Sequence, residues 1–164
     1  MIKNITDMRE DFSAGAAQFS SKDFHQTYAR PAYIKASHLV HRNVEKEEVH
    51  NQFSNERKHP VHFVDLPSKN VSMTIGGLLP GQLTNRHRHT YETILYVLEG
   101  NGWTEIEDEI VEWQAGDAVY IPSWAWHRHQ NRSNAEPARY LACENAPQLQ
   151  NLGVALREEE GRDL

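Results

Sequence analysis

Ten histidines stand in the 164-residue chain, and four of them form two close pairs, His87/His89 and His127/His129, about forty residues apart. Imidazole is a ligand that most divalent transition metals accept, and two on one element can grip one ion. Residues 86–100, RHRHTYETILYVLEG, place the first pair at the head of an apolar, β-branched run that ends in a glycine turn. Alternate side chains of a strand share a face, so His87 and His89 lie on the same side about 7 Å apart. Residues 116–131, GDAVYIPSWAWHRHQN, bring His127 after a glycine turn, a strand and a proline. A third imidazole from a neighbouring strand of a closed barrel would complete a facial set and leave positions open for substrate. The other six histidines (His25, His38, His41, His50, His59, His62) are scattered through the first 62 residues and read as solvated.

The elements that carry these pairs follow from a change of period near residue 60. Beyond it come short β-type runs, VHFVDL, NVSMTIGG, TILYVLEG, GWTEIE, EIVEW, DAVYIP and ARYLACE, separated by turn-forming stretches such as LPGQ, EGNG and QAGD. Many short strands at regular spacing, with no internal repeat, predict one all-β antiparallel sandwich or barrel. Before residue 60, helix signals dominate: SSKDFHQTYARP has a serine cap and a stop at Pro31, and a second helix is expected to open at Pro31. The chain therefore divides into a partly helical N-terminal arm over 1–60, a barrel over 61–146 and a C-terminal tail over 147–164. The first dozen residues are expected to be disordered, and the tail to pack through Leu152 to Leu156 before it ends in charge.

Composition narrows the class. The apolar fraction is 38%, the charged fraction 24% and the net charge −6, which argues against nucleic acid or an anionic membrane as partner. MIKNITDMRE has no apolar signal core, no run approaches a membrane span, and Cys143 is the one cysteine. The expectation is a cytoplasmic protein with no disulfide framework and no cysteine-based zinc site. Cys143 itself reads as a small core residue.

Two stretches resemble known motifs. Gly81, five residues, then His87-x-His89 is similar to the first cupin motif. Gly116, five residues, Pro122, His127 five further on and Asn131 is similar to the second. The resemblance covers roughly residues 60–145 and implies a double-stranded β-helix, a jelly-roll barrel, with a metal inside. The first motif normally carries a metal-binding glutamate seven residues before its closing glycine; counting back from Gly100 reaches Thr93 instead. Glu92 is one position away. In a regular strand Thr93, Leu95 and Val97 share one face and Glu92, Ile94 and Tyr96 the other, so Glu92 faces outward unless a bulge turns it. Its expected partner is an outward arginine, Arg86 or Arg88.

A site of three neutral histidines leaves a divalent metal its full charge and favours substrates that bind as anionic bidentate oxygens. Among cupins, the gentisate and salicylate dioxygenases resemble this chain most, with HRHT, no glutamate and a segment like PSWAWHRHQN, where Trp124 replaces the general motif's glycine. The resemblance implies Fe(II) on His87, His89 and His127, with O2 cleaving a C–C bond of a small hydroxyaromatic acid or diketone-like substrate. Those dioxygenases are generally two-barrel chains, so gentisate itself does not carry over. Zinc, nickel or manganese in the same site would instead give a lyase or isomerase, and a small-molecule-binding cupin without catalysis is the third reading. His129 could be a fourth ligand, an acid–base residue beside the metal or a core histidine, and is taken as the acid–base candidate, with Tyr91 as a second catalytic candidate. Asn85, Thr93 and Trp124 are candidates for binding substrate, Trp124 as a flat wall for a ring, whereas Trp126 reads as ordinary barrel packing and Asn131 as a strand-end residue. The arm is expected to serve a homodimer or higher homo-oligomer.

Overall fold

The computed structural model describes residues 33–46 and 52–161, and the compact unit Ala36–Leu164 carries every element named below. The expected disordered first dozen residues and the helix over 20–31 lie outside the described residues. The helix expected to open at Pro31 is not seen among the described residues that follow: residues 33–43 are irregular, and a 3-10 turn covers Val44–Lys46. The apolar positions there have no helical period, so a helix would have no continuous face to bury. Helix α1 is short, Gln52–Arg57.

Ten strands follow: β1 Val61–Phe63, β2 Ser72–Leu78, β3 His87–His89, β4 Thr93–Glu99, β5 Asn101–Ile106, β6 Glu109–Gln114, β7 Ala118–Ile121, β8 His127–Asn131, β9 Ala138–Glu144 and, after helix α2 Ala146–Asn151, β10 Arg157–Glu159. They form two antiparallel five-stranded sheets, ordered β1-β2-β9-β4-β7 and β10-β3-β8-β5-β6. This is the jelly-roll architecture that the alternating runs predict.

Alternation decides what enters the space between the sheets. Along β4, Thr93, Leu95 and Val97 are buried while Ile94, Tyr96 and Leu98 are exposed. Leu78, Leu95, Val97, Trp113, Val119, Ala138, Tyr140 and Ala142 form the core. Cys143 is not among them. It falls on the outer parity of β9, half-buried and in register with Met73 and Ile94, because the inward positions of that strand are Tyr140, Ala142 and Glu144.

Two glycines are required by geometry. Gly100, at φ +84°, turns the chain between β4 and β5, where a Cβ would also stand 2.8 Å from Ala138 Cα. Gly76 on β2 lies under the Tyr140 ring, and a Cβ there would sit 2.4 Å from that ring. Gly76→Ala is expected to displace Tyr140 and cost about 1–3 kcal/mol of stability, read as a lower midpoint in urea unfolding.

The tail contributes differently from its expected role. Leu152, Val154 and Leu156 are exposed, whereas the charged stretch Arg157–Glu159 docks as β10 against β3. Strand pairing there outweighs side-chain hydropathy, because β3 would otherwise leave one row of backbone groups unpaired.

Candidate metal centre

Register assembles the site. In one sheet His87 pairs with His127 across β3 and β8, and β10 sets Glu159 opposite His87 and Arg157 opposite His89. In the other, Glu144, Thr93 and Ile121 form a row across β9, β4 and β7. All of these side chains line one cavity, together with Arg57, His59, Val61, Asn85, Leu95, His129, Tyr140 and Ala142.

The ligand atoms of His87, His89 and His127 lie within 4.8 Å of one another. Each ring uses Nδ1 toward a backbone carbonyl: His87 to Asn85 at 2.9 Å, His89 to Tyr91 at 2.7 Å and His127 to Ala125 at 2.8 Å. A carbonyl only accepts, so Nδ1 carries the hydrogen in all three rings and each Nε2 keeps its lone pair. Burial, then repulsion from His127, pulls His89 down to about 3, and burial pulls His127 to about 4. Burial also holds His87 well below the usual imidazole value. Three neutral imidazoles of one tautomer, oriented by carbonyls, fit a divalent transition metal.

Glu92 does not join them. It is exposed on the outer face of the sheet and accepts a hydrogen bond from Tyr120 Oη at 2.5 Å, not from an arginine as expected. Arg88 is held by Glu158 at 2.7 Å, and Arg86 pairs with Glu105 at 3.6 Å and Glu160 at 3.4 Å. Tyr120 is near because β7 flanks β4 and pairs Tyr120 with Ile94.

The other candidates separate. Asn85 and Thr93 line the cavity, and Thr93 Oγ1 donates to Glu144 Oε1 at 3.3 Å. His129 lines it too; its Nδ1 bonds Thr104 Oγ1 at 2.9 Å, and its ring centre lies 5.6 Å from that of His127. Tyr91 is not a lining residue. Its ring stacks on His89 at 3.9 Å and 3°. Trp124 and Trp126 make no wall for a ring: neither lines the cavity, and both stack on Arg88, at 4.3 and 4.6 Å. Trp124 sits at φ +65°, the left-handed region, which explains why the general motif has glycine there. Asn131 ends β8, fully buried, and donates to the carbonyls of Leu78, Leu79 and Glu136.

Four charged cavity residues carry no motif signal that marks them as site residues in the sequence. Arg57 comes from α1, Arg157 and Glu159 from β10, and Glu144 from the end of β9. Arg157 Nη1 pairs with Glu159 Oε1 at 2.7 Å, while its buried Nε has no hydrogen-bond partner among the described residues. His59, read as solvated, also lines the cavity, and burial pulls it to about 4. The inward parity of Glu144, shared with Tyr140 and Ala142, was a usable signal; the other residues depend on long-range pairing.

Residues 75–144 match the model of the cupin domain family. The chain is 32% identical over 88 residues to gentisate 1,2-dioxygenase 1 of Aquipseudomonas alcaligenes, covering 53% of this chain and 25% of that protein. It is 32% identical over 77 residues to 5-aminosalicylate 1,2-dioxygenase of a Comamonas species, covering 47% of this chain and 20% of that protein. The chain thus spans a quarter or less of the length of these curated relatives. Among solved structures, salicylate 1,2-dioxygenase of Pseudaminobacter salicylatoxidans superposes with a TM-score of 0.65 at 20% identity, over 99% of this chain and 51% of that one. At that identity the likeness is one of fold. No helix among the described residues is long and apolar enough to cross a membrane.

Proposed function

We propose that this chain, a member of the cupin superfamily, is a non-haem Fe(II) dioxygenase that cleaves a C–C bond of a small hydroxyaromatic acid. The observation that carries the reading is the set of three neutral, carbonyl-oriented imidazoles in a cavity where, among the described residues, no carboxylate joins them as a ligand. His87, His89 and His127 would hold Fe(II), which would supply the one-electron chemistry that O2 needs to react with a ring. The protein supplies binding and charge. Around the imidazoles, Arg57 and Arg157 balance Glu144 and Glu159, so the metal's own double charge sets the sign that a substrate meets. An acid that offers two oxygens answers that charge. Val61, Leu95, Ile121 and Ala142 give the same cavity an apolar side for a ring, and the guanidiniums of Arg57 and Arg157 are the candidates to bind a carboxylate.

The names of the relatives agree in substrate type. Gentisate, 5-aminosalicylate and 1-hydroxy-2-naphthoate each carry a hydroxyl beside a ring carboxylate. The test is oxygen uptake by the iron-loaded protein offered salicylate, gentisate and 1-hydroxy-2-naphthoate. Stoichiometric uptake with loss of the aromatic absorbance supports the reading. No uptake with any of them, from a protein that holds full iron, overturns it.

A further inference from the structure

Position 93, where the cupin motif ordinarily has a glutamate, holds a threonine whose hydroxyl donates to Glu144 Oε1 at 3.3 Å. β4 and β9 pair these two residues in register, so both side chains enter the same cavity as His87, His89 and His127. A carboxylate is therefore present beside the place the motif reserves for one, but it arrives from the neighbouring strand and is seated on Thr93. The charged and titratable groups around it are Arg57 from α1, Arg157 from β10, Tyr91 after β3 and Tyr140 and Cys143 on its own strand. Burial raises the proton affinity of Glu144 more than the two arginines and the Thr93 hydroxyl lower it.

Two other acceptors in the cavity each have one atom engaged: Glu159 Oε1 is ion-paired with Arg157 on its own strand, and His129 Nδ1 is bonded to Thr104. Burial drives His59 down to about 4, away from proton uptake. A chelating hydroxy acid must lose its hydroxyl proton to present an anionic oxygen, and that proton needs an acceptor within the cavity.

We propose that Glu144 is the proton acceptor for the substrate hydroxyl. As the hydroxy acid binds, its O–H bond breaks and an O–H bond forms on the Glu144 carboxylate, leaving the substrate oxygen anionic and Glu144 neutral. The inference rests on the substrate class proposed above, but not on oxygen chemistry, and the zinc-loaded protein, which has no redox step, tests it alone.

The experiment is isothermal titration calorimetry of the zinc-loaded protein with salicylate and with 2-methoxybenzoate, in two buffers of different ionisation enthalpy. Wild type is expected to prefer salicylate and to release no proton to buffer. Glu144→Gln is expected to bind salicylate about 10- to 100-fold more weakly, the size of one lost charge-assisted hydrogen bond. It should also release one proton to buffer, with zinc content unchanged and 2-methoxybenzoate bound no more weakly. A wild-type protein that already releases the proton, or that fails to prefer salicylate, overturns the assignment without reference to any variant. Equal weakening of both probes in Glu144→Gln also overturns it. An iron-loaded protein that consumes no O2, beside a zinc form that keeps the predicted proton count, removes the dioxygenase reading and leaves Glu144 in place.

Discussion

His127→Ala is expected to weaken metal binding by more than about 100-fold and to abolish oxygen uptake, because loss of a ligand exceeds the 10–100-fold typical of losing a residue that merely orients one. His127 stands in the centre of the donor set. It pairs directly with His87 in register, its ring lies 4.7 Å from that of His89, and it is 1% exposed. Truncation there leaves two imidazoles on one strand with no third imidazole facing them from β8. It also opens a void in the cavity wall, so a circular-dichroism melt of the metal-free variant must accompany the metal titration. A folded His127→Ala protein that retains wild-type affinity would remove His127 from the site.

The second large effect is on stability with pH. The metal-free protein is expected to lose between about 1 and 2 kcal/mol per buried imidazole between pH 6.5 and pH 5, about 5 kcal/mol for His59, His89 and His127 together. The folded values of these residues lie at about 4, 3 and 4 against an ordinary 6.5. Below pH 6.5 the unfolded chain takes up these protons while the folded chain does not, so protonation drains the folded state. The stabilisation is complete above 6.5 and is lost progressively as pH falls toward 4. A loss of that size is comparable with the whole stability of many domains. Urea unfolding at pH 7.5, 6.5, 5.5 and 5.0 reads it directly. A flat profile over that range would mean that these rings are open to water in the metal-free protein.

Much of the barrel is legible in the residues because strand alternation is local. TILYVLEG already contains the decision that Thr93 faces inward and Glu92 outward, and the exposure along β4 follows it. H-x-H on β3 puts two imidazoles on one face for the same reason. What was not legible depends on partners distant in sequence. The outward carboxylate of Glu92 found Tyr120 rather than an arginine, because β7 happens to flank β4. Arg157 and Glu159 sit in a charged stretch whose strand character comes from pairing with β3, not from its own hydropathy. Trp124 and Trp126 look like pocket aromatics by type, yet the left-handed turn at Trp124 carries them to Arg88 on the other face. Glu144 had the right parity but no local feature to set it apart from an ordinary strand-end glutamate.

The central claim is that three imidazoles, with no help from Glu92, hold iron. It is tested most directly by the metal content of wild-type and Glu92→Gln proteins, purified anaerobically without added metal and measured by inductively coupled plasma mass spectrometry. Near-stoichiometric iron in both is the predicted result. Zinc, nickel or manganese at full occupancy in place of iron, or metal lost in Glu92→Gln, would contradict it.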